Sequence, residues 1–285
     1  MSTSKSREQN QRGQCGLPRA ELTILSMGWG RQTWTMAAMM ALGELPRVDV
    51  IVHADTSYEH QATYEFRRQW EPWLTAHGLP VVSVQGKRVD VVREDWGTGA
   101  VMIPAFAVNA HTGSQGQVRR QCTSDWKIAP IRAWVWAELK LRDIKRRPGV
   151  VEMQMGISYD EWQRMRTSDV QYITNAYPLV ERRLGISDCL AWLTAHELPT
   201  PPKSACVFCP YNGLRRWRDL KRIGGPDWEQ AVQVDTNIRD RRPQHGPLYL
   251  HPHRRPLTEA VSIPEDEGAT QMGFEALCDG GFCGV

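Results

Sequence analysis

The hydrophobic positions fall into short runs separated by longer amphipathic stretches. Leu22-Thr23-Ile24-Leu25 is apolar and β-branched, as a strand buried on both faces is. Val48 to His53 reads as a second buried strand, and Leu79 to Val84 and Val150 to Met155 as a third and a fourth strand. Between the strands lie predicted helices. Trp34 to Leu42 is rich in Ala, Met and Leu, and a second helix is predicted over Glu59 to His77. A third is predicted over Asp125 to Arg146, with Trp126, Ile128, Ile131, Trp134, Val135 and Leu139 on its apolar face and Ser124 or Asp125 as its cap. Strand and helix alternate through the first part of the chain, which predicts an α/β fold with a doubly wound, mostly parallel, Rossmann-like sheet.

The rest is less regular. Residues 85–118 are rich in Gly, Pro and polar side chains and read as an irregular insertion or lid. Asn175 to Glu181 reads as extended because of Pro178. A helix is predicted from Ser187-Asp188, and two more over Asn212 to Arg222 and Pro226 to Arg239. From Pro243 the chain is rich in Pro and Gly and is expected to be mobile. The expected division is a disordered tail (1–20), a nucleotide-binding α/β domain (21–185), a helical cysteine-bearing region (186–242) and an extended C-terminal tail (243–285).

The junctions carry the candidate chemistry. Ser26-Met27-Gly28-Trp29-Gly30-Arg31-Gln32-Thr33 joins the first strand to the first helix. Strand, glycine loop and helix N-terminus can aim backbone N–H groups at an anion. Gly28 and Gly30 would permit positive φ, and Ser26, Gln32 and Thr33 add side-chain donors. An ordinary tight turn between strand and helix is the plain alternative. Asp55 ends the second strand, and Gly156 to Glu161, with Asp160, follows the fourth. Ligands bind at such strand ends in open α/β sheets, although Asp55 could equally cap a helix.

Composition adds little. Of 285 residues 41% are hydrophobic and 24% charged, with a net charge of +3, which is ordinary for a globular protein. Basic residues cluster at Arg119-Arg120, Lys140 to Arg147, Arg215 to Arg222, Arg239 to Arg242 and Arg254-Arg255, each readable as a solvated face. No apolar run approaches the ~18 residues of a membrane span, and the N-terminus lacks the apolar centre of a signal peptide. The expected location is the cytoplasm, where seven cysteines point to metal or redox use. Cys206-x-x-Cys209, followed by Pro210, can place two thiolates on one centre, with Cys122 and Cys189 as further ligand candidates. A redox dithiol and buried apolar thiols are the alternatives. Cys278 and Cys283 flank a pliable Asp-Gly-Gly-Phe near the C-terminus and are candidate mobile nucleophiles; a frayed end with two incidental thiols is the alternative.

Several of these segments together resemble one family. SMGWGRQT resembles the pyrophosphate loop of the adenine-nucleotide α-hydrolase (HUP) group, with Met27 in place of the usual first glycine, no loop aspartate, and the hydroxyl residue two positions late at Thr33. VHADTSYE, RRQCTSDWKIAPIR, MGISYDEWQRMR, NAYPLVE and KSACVFCP resemble successive motifs of phosphoadenylylsulfate (PAPS) reductase-like proteins, over roughly Leu22 to Leu220. The cysteine set is closer to the family's sulfur-transfer branch. The resemblance implies an enzyme that binds ATP or PAPS through the glycine loop. Arg119, Arg120 and Lys127 would contact phosphate or sulfate, and Mg²⁺ would be held by Asp55 or Asp160. It implies a [4Fe–4S] cluster on Cys122, Cys189, Cys206 and Cys209, with zinc as the lesser alternative. The expected partners are a nucleic-acid or small acceptor and a sulfur donor or thiol reductant protein. Catalytic roles would fall to Cys283, Cys278 and Asp160. Two rivals stand beside sulfur transfer: a PAPS or adenylylsulfate reductase, and a non-catalytic binding module with structural cysteines.

Overall fold

The computed structural model describes residues 20–86, 101, 103–109, 113–118, 120–242 and 246–262. Its centre is a five-stranded parallel sheet of β1 (Leu22–Ser26), β2 (Val50–Asp55), β3 (Val81–Gln85), β6 (Val151–Met155) and β7 (Ile173–Ala176), in the order β3-β2-β1-β6-β7. The order reverses between β1 and β6. Such a switch point leaves a crevice beyond the strands' C-terminal ends.

Helices cover both faces of the sheet. On one, α1 (Arg31–Ala41), α2 (Gln61–Ala76) and α5 (Ile186–Ala195) bury Trp34, Met36, Met40, Phe66, Leu74 and Leu193 with Leu25 and Ile51. On the other, Ile131, Val135 and Leu139 of α3 (Ala129–Leu141) meet Leu22, Ile24, Val50 and Val52. Burial on both faces accounts for the apolar runs of the central strands β1 and β2. The predicted doubly wound α/β fold is therefore present.

Three segments differ from expectation. Ile173–Ala176 is a strand, and Pro178 opens a short helix, α4 (Pro178–Glu181), instead of extending the chain. Its fixed φ suits a first helical turn, where the missing N–H is unneeded. The region read as irregular supplies β4 (Phe106–Val108) and β5 (Gln115–Gln117). These join β8 (Leu248–Tyr249) in a small antiparallel sheet of order β5-β4-β8. The start of the supposed mobile tail is thus packed. Leu248, Leu250, Leu257 and Val261, with α8 (Leu257–Ala260), share a second core with α6 (Leu214–Ile223), α7 (Pro226–Asn237), Tyr58, Trp126, Val207 and Phe208. Asp235 anchors this segment: its carboxylate accepts from Leu250 N at 2.8 Å, Leu257 N at 3.0 Å and Arg239 Nη2 at 2.5 Å. No described helix is long and apolar enough to cross a membrane.

Candidate nucleotide cleft and cysteine pocket

Beyond the C-terminal ends of β1, β6 and β7 lies a cleft of about 460 Å³. Ser26, Met27 and Gly28 form its near end, and Met153, Met155, Ile128, Ile131 and Ile173 contribute apolar lining. Lys127, Arg132 and Arg166 add cations, and Ser168, Asp169 and Asn175 add polar groups. An apolar surface for a flat base, with cations for phosphate, is what a nucleotide asks of a pocket.

The glycine loop is locked from several sides. Its left-handed residue is Trp29, at φ 56°, whereas Gly30 has φ −88°. The expected use of glycine for positive φ is thus corrected. Trp29 is fully buried, with edge contacts to His53 and Phe66, and this packing holds a backbone conformation that L-residues rarely adopt. His53, itself buried, shares a 3.0 Å hydrogen bond between Nδ1 and the Met27 carbonyl. Burial pushes its pKa down to about 4, so the ring is neutral at pH 7 and Nδ1–H is the donor. A β-carbon on Gly28 would stand 3.7 Å from Ser204 Oγ, and one on Gly30 3.6 Å from Ser204 Cβ. The turn leading into the cysteine pair therefore covers the loop.

A second, smaller pocket adjoins the cleft. Cys122, Cys206 and Cys209 line it, with Thr56, Thr123, Phe208, Tyr211, Arg120 and Lys127. The Cys-x-x-Cys turn closes through Cys209 N donating to the Cys206 carbonyl at 3.0 Å. It is tied to the end of β2: Glu59 and Cys206 form an antiparallel bridge, and Val207 N donates to Tyr58 O at 2.8 Å. Thr56 Oγ1 lies 3.4 Å from Cys206 Sγ. Tyr58, Trp126 and Phe208 make an aromatic cluster beside the thiols.

Lys127 lines both chambers. It sits in a π-helical turn, Ser124–Ile128, in which Ala129 N donates to Ser124 O. Pro130, second in α3, has no N–H for the Trp126 carbonyl, which favours this widened turn. Gly86 allows the end of β3 to press on the turn: a β-carbon there would lie 2.6 Å from the Asp125 carbonyl oxygen. Arg120 stands 5.6 Å from the centroid of the Tyr211 ring.

The predicted site residues divide accordingly. Ser26, Gly28 and Lys127 line the cleft, and Arg120 lines the cysteine pocket. Gly30, Gln32, Thr33, Asp55 and Gly156 share that end of the sheet but are absent from the lining of the cleft. Gln32 Nε2 donates to Glu161 Oε2 at 3.2 Å, and Thr33 Oγ1 to the Gly30 carbonyl at 3.2 Å. Asp55 Oδ1 accepts from Ser57 N at 2.8 Å and Tyr64 Oη at 2.9 Å, with Arg67 3.7 Å from its other oxygen. Asp160 Oδ1 accepts from Ile186 N at 3.1 Å, satisfying the first turn of α5. Both carboxylates serve local structure, and neither lines the cleft. Cys189 stands apart from the other thiols: it is wholly buried in the α1–α5 core, and burial pushes its thiol up to about 12. Arg119, Cys278 and Cys283 lie outside the described residues. Among the described residues, no three or more His, Cys, Asp or Glu side chains are gathered as a metal-ion site requires.

Arg132, Arg166, Ser168, Asp169 and Asn175 were not expected at the site. Arg132, Arg166 and Asn175 lie within segments that carry the resemblance, which was the available signal, whereas Ser168 and Asp169 fall between those segments in what reads as plain loop.

No protein-family model and no curated protein sequence matches the chain. Among solved structures it is similar to the PAPS reductase from Candida auris in its phosphate complex, at 14% identity and a TM-score of 0.40, over 65% of this chain and 76% of that one. At that level the likeness carries nothing about chemistry.

Proposed function

We propose that this protein is an enzyme that binds an adenine nucleotide in the cleft and moves sulfur in the adjoining cysteine pocket. The observation behind this reading is Lys127, which lines both chambers. A nucleotide with its base on the methionine and isoleucine surface and its phosphates toward Ser26–Gly28 brings its reacting end to Lys127. The thiols lie just beyond. Lys127 then balances charge on the phosphate while a sulfur nucleophile approaches from the cysteine side. For an acceptor oxygen, nucleic-acid or small-molecule, adenylation would turn a poor leaving group into a good one, and AMP would depart as sulfur enters.

Cys122, Cys206 and Cys209 suit a soft metal centre in kind, being thiols beside two cationic residues. They do not stand gathered as a metal-ion site requires, and Cys189 lies elsewhere, so an iron–sulfur cluster here would need the three thiols to draw together. When bound, it would supply iron that can carry a sulfur ligand. Mg²⁺ finds no prepared carboxylate at Asp55 or Asp160, both engaged as above, and no step is assigned to it.

Calorimetry with ATP and with PAPS, on the parent protein and Lys127→Ala, tests the nucleotide half of the proposal. Loss of a charge-assisted phosphate contact should weaken binding at least about tenfold. Unchanged affinity would remove Lys127 from the site. Iron analysis of anaerobically prepared Cys206→Ala tests the other half: the variant should lose the iron that the parent holds. Equal iron in both, or none in the parent, would count against a cluster.

A further inference from the structure

Two charged residues on the lining of the cleft, Asp169 and Arg132, are paired with each other. Asp169 is the one acidic residue among the described residues lining it. It is not free to act alone: Arg132 grips it in a two-pronged pair, Nη1 to Oδ2 at 3.2 Å and Nη2 to Oδ1. The guanidinium holds the Asp169 carboxyl below its usual range, so the carboxylate is ionised at neutral pH. Arg132 lies on α3, five residues past Lys127, a step of roughly 7.5 Å along a helix. Asp169 comes from the segment before β7, on the opposite wall. The pair therefore bridges α3 to that segment, further along α3 from Lys127, where the phosphates of the proposed nucleotide would lie.

Arg132 would be a strong phosphate ligand, but its fork is already filled by a carboxylate. Arg166, the other cation of this segment, has Nη1 turned to the Gln163 and Met165 carbonyls at 2.8 Å each. A second phosphate on the sugar would meet the Asp169 charge and a guanidinium already engaged. A sugar hydroxyl meets no such penalty and can donate to the carboxylate.

We infer that Asp169 and Arg132 make the cleft selective for an adenine nucleotide phosphorylated only on its 5′ side, against one that also carries a ribose 3′-phosphate. The inference rests on the proposed placement of a nucleotide in this cleft. It assigns the substrate class to ATP-like rather than PAPS-like nucleotides. Asp169 and Arg132 thus act as specificity residues, not as catalytic ones.

The test is calorimetry with ATP and with adenosine 3′,5′-bisphosphate on the parent protein, Asp169→Asn, and Asp169→Asn combined with Arg132→Gln. The parent should prefer ATP. Asp169→Asn should release Arg132 and raise affinity for the bisphosphate by about tenfold relative to ATP, as expected when a like charge near a phosphate is removed. The double variant should lose that gain, since the released guanidinium that supplied it is gone. Bisphosphate binding to the parent as tight as ATP, or equal shifts for both ligands in Asp169→Asn, would overturn the inference while leaving the cleft a nucleotide site. No binding of either ligand to the parent would overturn the cleft assignment itself, and the selectivity with it. Because Asp169 is mostly exposed (75% for its side chain), its replacement should leave the fold intact, which a thermal melt checks.

Discussion

Gly156 and Thr33 touch backbone to backbone across the switch point. A β-carbon on Gly156 would lie 3.1 Å from Thr33 N and 3.3 Å from its Cα, and closer still to its Cγ2. The start of α1 and the end of β6 can be this near only because position 156 carries no side chain. Gly156→Ala should therefore cost about 1–3 kcal/mol of stability, the usual penalty of overpacking, as read from urea unfolding. Gly116→Ala is the control: nothing lies within 4 Å of a β-carbon there, so its effect should stay within about 0.5 kcal/mol. Equal effects at both positions would show that the Gly156 contact is slack.

Acid should destabilise the protein before its carboxylates titrate. His53 is held neutral by burial, its pKa lowered to about 4, and His251, also buried, to about 3. The unfolded chain takes up these protons near pH 6.5, whereas the folded chain resists them. Their stabilising contribution is complete above about pH 6.5 and is lost as pH falls toward 4 and 3. For His53 it amounts to something on the order of 3 kcal/mol. Urea midpoints between pH 7.5 and pH 4, as conditions chosen to span about that range, should fall steadily. His53→Gln should flatten part of the slope. A midpoint independent of pH in this window would show that neither ring is protected from protonation.

The packing of residues 246–262 depends on one buried carboxylate. Asp235 bonds two backbone N–H groups of that segment and Arg239. Asp235→Ala should cost about 3 kcal/mol, since it leaves buried donors and a guanidinium without their acceptor. Limited proteolysis should then cut first within the 246–262 segment. Parent-like resistance would mean that the hydrophobic contacts of Leu248, Leu250 and Leu257 suffice alone.

How much of this could be read in advance follows from the length and neighbours of each element. β1 and β2 are apolar on both faces and stand out against polar loops, while β3 shows as a β-branched run and β6 as an alternating one. Ile173–Ala176 did not, because Thr174 and Asn175 dilute it and Pro178 suggested an extended chain rather than a helix start. The second sheet is built of strands two or three residues long, too short to show a period of two. Cys122, Cys206 and Cys209 were legible as a set because each lies at a turn or helix start. Cys189 misled for the same reason, but it lies four residues before Leu193 and points with it into the core. Asp55 and Asp160 sit where catalytic carboxylates would sit, yet each is consumed by neighbouring N–H or hydroxyl donors. Sequence shows that a carboxylate ends a strand; only the fold shows what already occupies it.

The adjacency of cleft and cysteine pocket is most directly tested by alkylating metal-free, reduced protein with iodoacetamide, with and without nucleotide, and following each cysteine by mass spectrometry. A nucleotide reaching Lys127 should slow modification of Cys122 and Cys206 several-fold. Buried Cys189 should stay slow in both states, and Lys127→Ala should lose the protection. Equal rates at Cys122 and Cys206 with saturating ATP or PAPS would contradict the account, because a nucleotide bound in this cleft could not then lie beside the thiols.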